Sequence, residues 1–553
     1  MAEITLPVQI QSGKLTGVFQ EDGQIVIFKG VPYAQPPVGD LRWRPPRPAV
    51  PWSGTLKAET SSKIAIQQAA DFELFMDALV KGQGWGVLKT TAVKLLLKIA
   101  PKPKQDEDCL TLNIRTPSLG KDAQLPVMVW IHGGDHQDGS VSDIFYDSSS
   151  LARRGVVVVY INYRLGLMGY FGHPLLSRES EHGVSGNYGT LDQIAALRWV
   201  QENIAAFGGD PDNVTIFGES AGGESVAHML VSPLARGLFH KAILQSPANS
   251  SQMMFLRQPY LNNPALEAIG QEFADRFVPA GNDQIAALRQ IAPNRLYDLI
   301  RQSRHFQHFY PAIDGYVLEK SPFVAFQDGD QAGVPILLGS NADEGTLIYP
   351  LIAAPFREYA HENVPPERVA ALVHKEFGDD APAIFNHYPG LEQGAKTAQM
   401  ALLGDVMFGT AVHFYALKAA EAGQPVYFYH FTRTPPSPKQ RAGAYHASEL
   451  AFVHDSIIPL FDVTPEDRAL TQVMGDYWTN FAKSGDPNGD SHPQWPRFDA
   501  ANQRQMRLGT GSELGAMEVD RRPQYEIIQR RLLRQIREMK ALQSAEREVV
   551  TAD

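Results

Sequence analysis

A chain of 553 residues with 44% hydrophobic, 10% aromatic and 20% charged residues has an ordinary globular composition and enough length to bury a large core. Its 61 acidic residues against 50 basic ones give a formal net charge of -11, which repels polyanions and argues against a nucleic-acid partner. The single cysteine, Cys109, excludes an internal disulfide, and no run reaches the roughly 18 consecutive apolar residues of a bilayer span, so no transmembrane segment is expected.

The opening Met-Ala-Glu-Ile-Thr-Leu-Pro has neither the basic nor the apolar region of a signal peptide. A cytoplasmic location is the expectation, or a secreted one if a signal has been removed. From Gly13 to Gly30, apolar and polar residues alternate around Asp22-Gly23, a pair suited to a tight turn, which predicts an antiparallel N-terminal edge. A long apolar stretch follows at 66–104. There Phe72, Phe75, Met76, Leu79 and Val80 share one helical face and Leu88, Ala92, Leu95, Leu96 and Ile99 another, and Ala78 to Gln105 holds six lysines and no acid.

The pattern then changes to continuous apolar runs: Leu125 to Ile131, Val156 to Ile161, Val214 to Phe217, Ala242 to Leu244, Val334 to Leu338 and Val426 to Phe431. Helix-like stretches such as Leu191 to Asn203 and Ala221 to Leu230 separate them. Buried strands alternating with helices predict an α/β fold, a mostly parallel sheet covered on both faces, with ligands at the carboxyl ends of its strands. No linker, repeat or low-complexity stretch divides the chain, so 1–553 reads as one catalytic unit with insertions. The end, 521–553, reads as a charged helix with Ile527, Leu532 and Ile536 docked on the body, or as a self-association element.

Gly218-Glu219-Ser220-Ala221-Gly222 stands between a strand and an apolar helix, the setting of a nucleophile elbow. Gly218 and Gly222 let strand and helix pass closely, while Ser220 sits on a strained turn with its hydroxyl exposed. A serine needs a base, and the base an orienting acid. The acid candidates are Glu344 and Asp343, the latter also able to cap its turn. The base candidates are His446, His430, His454 and His492, and spacing does not choose among them. An oxyanion hole is expected where His132-Gly133-Gly134-Asp135 follows a buried strand, completed by the N–H of Ala221.

These motifs are joined by Phe28-Lys-Gly-Val-Pro-Tyr-Ala-Gln-Pro-Pro-Val-Gly39, Glu107-Asp-Cys-Leu-Thr-Leu-Asn113, Ile161-Asn-Tyr-Arg-Leu-Gly166, Gly186-Asn-Tyr-Gly-Thr-Leu-Asp192, Phe217-Gly-Glu-Ser-Ala-Gly-Gly223 and His446-Ala-Ser-Glu-Leu450. Together they resemble the type B carboxylesterases, which include cholinesterases and para-nitrobenzyl esterases. The resemblance implies an α/β-hydrolase fold with large cap insertions, and a triad of Ser220, Glu344 and His446. It also implies oxyanion donors at Gly134, Asp135 and Ala221, and no metal or cofactor. A small, hydrophobic ester would be hydrolysed through an acyl-enzyme by a monomer or weak oligomer. An amide or carbamate could be cleaved by the same triad, and a non-catalytic binding protein of this fold is disfavoured because the triad is complete.

Three departures from the family stand out. Asp135 and His136 replace the usual glycine and aromatic residue of the oxyanion loop. An inward Asp135 carboxylate would oppose the oxyanion and an outward one would not, and either residue could instead position water or a cationic substrate group. Cys109 occupies the place of a family disulfide half, but the partner region reads Lys63-Ile-Ala-Ile-Gln67, which leaves a buried, inert thiol. The loop that this disulfide would close is 66–104, expected either as a cap packed over the gorge or as a lid that admits bulky acyl chains or touches an anionic interface.

Overall fold

The structure, a computed structural model, describes residues 4–550 except 21, 61, 68–69, 100–101, 147, 249–253, 262, 282, 302–308, 350–364, 435–438 and 458–462, with only the backbone given for 70–72 and 544–550. Its central sheet is built from β1 (Val18–Phe19), β2 (Val26–Pro32), β3 (Thr111–Thr116), β4 (Leu125–Ile131), β5 (Val157–Ile161), β6 (Gly209–Glu219), β7 (Lys241–Gln245), β8 (Ile336–Asn341), β9 (Val426–Phe431), β10 (Arg504–Leu508) and β11 (Gly515–Glu518). In space the order is β11-β10-β9-β8-β7-β6-β4-β5-β3-β2-β1. Every pair from β5 through β10 is parallel. The margins are antiparallel: β3 against both β2 and β5, β1 against β2, and β10 against β11.

The parallel strands lack alternation in sequence because both of their faces are buried. Val129, Ile131, Ile216 and Leu338 point into one core layer, while Met128, Trp130, Phe217 and Leu337 point into the other. The N-terminal hairpin closes through Gly23 at φ 70° and pairs Val18 with Ile27. Gly13–Thr16, expected in that hairpin, instead pairs with Val8–Ile10 and Thr55–Lys57 in a separate small sheet.

The helices used below are α1 (Ala70–Gly82), α2 (Val87–Ile99), α3 (Tyr188–Asn203), α4 (Ala221–Val231), α5 (Thr410–Glu421), α6 (Pro465–Ser484) and α7 (Arg522–Val550). Ile528, Leu532 and Ile536 of α7 are buried against the body, and Arg531 and Arg534 pair with Glu376 and Asp380. Just before α7, Arg521 holds the carboxylate of Asp405 through Nε at 2.9 Å. Asp405 opens a π-helical turn, Asp405–Gly409, that leads into α5. The apolar helical run Lys396–Glu421 around this turn is long enough to cross a bilayer but is mostly buried in the protein.

Three of the quoted motifs, those carrying Glu107, Arg164 and Asp192, are architectural. Arg164 grips both oxygens of Asp192, at the start of α3, at 2.7 and 2.8 Å, with both side chains buried. Arg42 does the same for Glu107 at 2.6 and 2.7 Å. Such bidentate buried pairs are costly to break, because the surviving partner is left charged and unpaired. Cys109 is buried and free, and burial pushes its thiol pKa up.

Candidate active site

Strands β4, β6, β8 and β9 run parallel, so the loops leaving their carboxyl ends meet at one edge of the sheet. The loop after β4 carries Gly134, Asp135 and His136. Glu219 ends β6, Ser220 follows it, and Ala221 opens α4. Glu344 follows β8, and His446 lies beyond β9.

Ser220 has φ 58° and ψ -125°, a sparsely populated conformation that costs about 1–3 kcal/mol and must be held by its surroundings. Its N–H donates to Gln245 O at 3.0 Å, and its carbonyl accepts from Glu224 N at 2.9 Å. Its flanking glycines are demanded by close approach. A Cβ on Gly222 would lie 2.1 Å from Ile131 O, and one on Gly218 would lie 2.5 Å from the Gly222 backbone. At the first turn of α4 the Ala221 N–H has no intrahelical acceptor, as at any helix start.

Glu344 uses both carboxylate oxygens. Oε1 accepts from Ser246 Oγ at 2.5 Å and Asn341 N at 2.7 Å, while Oε2 lies 2.6 Å from His446 Nδ1. Asp343 points elsewhere: its Oδ2 accepts from Ala444 N at 2.8 Å and its N–H donates to Ala444 O at 2.9 Å, which ties the Glu344 loop to the His446 loop. Phe408, from the π-helical turn, stacks on the His446 ring at a centroid distance of 4.4 Å. On the far side of the ring, Nε2 lies 3.2 Å from Glu219 Oε1. Among the described residues no hydrogen bond joins the Ser220 hydroxyl to His446; in unliganded hydrolases that bond is often long.

Burial alone would lower the pKa of His446, but the carboxylates of Glu219 and Glu344 outweigh it and raise the imidazole to about 9. The other histidines considered as bases have different surroundings. His430 faces Asp520, His492 bonds to Asp476 at 2.9 Å, and His454 is packed among Trp130, Tyr160 and Phe217, where burial lowers it to about 3.

In the β4 loop three successive residues have left-handed backbones: Gly134 at φ 102°, Asp135 at 53° and His136 at 54°. Gly134 cannot be replaced freely, because a Cβ there would meet Asp138 O at 2.3 Å. The Asp135 side chain is exposed, and its Oδ2 accepts the Tyr310 hydroxyl at 2.6 Å. This is the outward of the two orientations weighed from the sequence. Its charge still reaches Glu224 in the first turn of α4, whose carboxyl is pushed up to about 8 by burial and by Asp135. His136 is buried behind the loop, with Nε2 3.1 Å from Ser225 Oγ, and burial together with His228 and His132 lowers its pKa. Its ring packs edge-on against Tyr170 at 5.5 Å.

Sequence reasoning did not find Ser246, Phe408, Tyr310 or Glu224. Ser246 left a weak signal, since it directly follows a buried parallel strand, where side chains reach the site edge. Glu224 stands one helical turn after Ser220, a spacing that could have found it, whereas Phe408 and Tyr310 reach the site through long-range packing that leaves no local pattern.

The carboxylesterase family model matches residues 5–527. The fumonisin B1 esterase of Sphingopyxis macrogoltabida is 35% identical over 521 residues, covering 92% of this chain and 87% of that one. The liver carboxylesterase of Sus scrofa is 35% identical over 518 residues, covering 86% and 84%. Among solved structures, a PNB esterase superposes with a TM-score of 0.74 at 30% identity over 96% of this chain and all 100% of that one. A carboxylesterase of Geobacillus stearothermophilus does so with 0.75 at 30%, over 95% and 100%. The α/β-hydrolase fold is that of these neighbours, and the chain belongs to the carboxylesterase family as a serine carboxylic ester hydrolase.

Proposed function

We propose that Ser220, His446 and Glu344 are the nucleophile, base and acid of this hydrolysis, and that the N–H groups of Gly134, Asp135 and Ala221 receive the oxyanion. The observation that carries the assignment is the 2.6 Å contact between Glu344 Oε2 and His446 Nδ1, with Glu344 itself fixed by Ser246 and Asn341. A proton on Nδ1, donated to Glu344, would leave Nε2 as the base.

In the first step Ser220 Oγ attacks the ester carbonyl and His446 Nε2 takes its proton. The tetrahedral oxyanion accepts from the loop N–H groups, then collapses and expels the alcohol, which receives the proton back from His446. In the second step His446 draws a proton from water, the resulting hydroxide attacks the acyl-serine, and the acid leaves as Ser220 is regenerated. Glu344 orients the ring and stabilises the imidazolium. The backbone donors are set before substrate arrives, and each is worth a few kcal/mol of barrier. The substrate is a small, hydrophobic ester, and the protein acts as a monomer or weak oligomer.

The test is Ser220→Ala with p-nitrophenyl esters of graded chain length, beside amide and carbamate analogues. Turnover should vanish for every class cleaved, and an organophosphate should label the unmodified chain once and the variant not at all. Residual turnover at more than about one part in a thousand, or undiminished labelling, overturns the assignment.

A further inference from the structure

Helix α2 uses only one of its faces. Val93 is buried, and Leu97 packs with Met76 and Leu79 of α1 against Leu347, Ala442 and Tyr445. The opposite stripe, Leu88, Ala92, Leu95 and Ile99, repeats at intervals of four, three and four residues and faces water. Leu88 is 89% exposed, Val87 82%, Ile99 68%, Leu95 58% and Leu96 54%. With Leu74 of α1 these make up half of the exposed large hydrophobic residues found among the described residues, and five of the six belong to α2. A concentration of this kind marks an interaction site, whereas scattered exposed leucines do not.

The charge around the stripe selects the partner. Residues 70–104 hold six lysines against Asp71, Glu73 and Asp77, a net charge of +3 in a chain whose total is -11. Two of these acids are paired: Asp77 takes Lys81 and Lys94, and Glu73 takes Lys102 at 2.6 Å. Lys98 is exposed beside the stripe, and Lys89 lies over the Trp85 ring at 4.4 Å. An apolar stripe bordered by lysines on an acidic protein matches a surface that offers hydrocarbon beneath phosphate. A second copy of the chain is a poorer match, because a two-fold contact would set lysines against lysines.

We propose that the α1–α2 pair seats the protein on an anionic lipid bilayer, with Leu88, Leu95, Leu96 and Ile99 at the boundary between headgroups and acyl chains. The platform is joined to the loops of the ester-cleaving edge: Arg441 N donates to Gly82 O at 2.8 Å, and Tyr445 of the α1 cluster precedes His446. Docking therefore holds those loops close to the membrane. The inference stands on the α1–α2 surface alone and does not depend on which residues form the triad.

The full chain should co-sediment with vesicles of phosphatidylcholine containing phosphatidylglycerol, at least about tenfold more than with phosphatidylcholine alone, and high salt should release it. Leu95→Glu with Ile99→Glu should lower partitioning by about tenfold or more, and Lys98→Gln by about fivefold. Both variants should keep the melting temperature and the hydrolysis of a water-soluble ester. Equal partitioning into the two vesicle types, full binding by the leucine and isoleucine variant, or a dimer in solution that this variant dissolves would each overturn the proposal.

Discussion

Glu344 has three donors for its two oxygens, and each comes from a different segment: Ser246 after β7, Asn341 at the end of β8 and His446 beyond β9. A short distance along the surface, α2 leaves Leu88, Leu95 and Ile99 in water with nothing packed on them among the described residues. The two regions touch, through Leu347 and Tyr445, yet follow opposite rules. Around His446 the backbone is strained at Ser220, the elbow glycines are obligatory and Glu344 is held by three partners, so almost any change disturbs a neighbour. On α2 the backbone is relaxed and the side chains meet solvent, so substitution there leaves the folded chain intact and alters only what the surface can meet. Constraint thus marks the part of the molecule that performs chemistry, and exposed apolar area marks the part that meets a partner.

The largest effect expected from breaking the constrained side is that of Glu344→Gln, which removes the acceptor that fixes the His446 tautomer. It should lower kcat on a soluble ester by about a thousandfold or more with little change in KM. Steric constraint can be probed by a matched pair of glycines. Gly222→Ala, with its Cβ 2.1 Å from Ile131 O, should destabilise the protein by about 3 kcal/mol or more in thermal melts, whereas Gly86→Ala, between α1 and α2 with nothing within 4 Å, should change stability by less than about 0.5 kcal/mol.

Electrostatic constraint has its own signature. Since His446 must be neutral to act and its pKa is raised to about 9, kcat/KM should climb with pH up to about that value, not level off above the ordinary histidine range. The same raised pKa gives a stability contribution that is present below about 6.5 and lost as pH rises toward about 9. Glu219→Gln removes the first of the carboxylates that raise His446, so the midpoint of the activity profile should move down. An unshifted midpoint would show that Glu219 does not set it.

The smallest effect belongs to the residue between the two regimes. Asp135 is strained in backbone but exposed in side chain, and Asp135→Gly should relieve the left-handed φ for about 1 kcal/mol or less while leaving neutral-ester turnover within about threefold. A tenfold gain in turnover would mean that its carboxylate opposes the oxyanion after all.

Much of this architecture is legible in the amino-acid order. The parallel strands announce themselves because burial on both faces removes alternation, and the elbow does so because only glycine fits beside Ile131 O. The choice of Glu344 over Asp343 is not legible locally. The two are adjacent carboxylates, and which one faces His446 depends on Ala444 capturing the other, 101 residues away. The strand pair β10 and β11 is hidden by Arg504 and Arg507, charged positions on β10 that interrupt its apolar run; the Arg504 side chain is exposed, and Arg507 Nε donates to Glu513 O at 2.7 Å. The outward turn of Asp135 depends on Tyr310, 175 residues distant. The open face of α2 reads in sequence either as a packed cap or as a lid meeting acyl chains or an anionic interface, because periodicity identifies an apolar face without saying what covers it.

The clasp of Arg521 on Asp405 ties catalysis to the order of synthesis. Asp405 begins the turn that lays Phe408 on His446, and Tyr525 in the first turn of α7 lies so close to Gly409 that a Cβ there would be 2.5 Å from its ring. A chain still emerging from the ribosome already contains Ser220, Glu344 and His446 when residue 446 has been made. It nevertheless lacks the support that holds the histidine's ring partner until Arg521 and Tyr525 follow. A truncation before residue 521 is therefore expected to lower hydrolysis although it spares Ser220, Glu344 and His446, because Phe408 would lose the support of Arg521 and Tyr525.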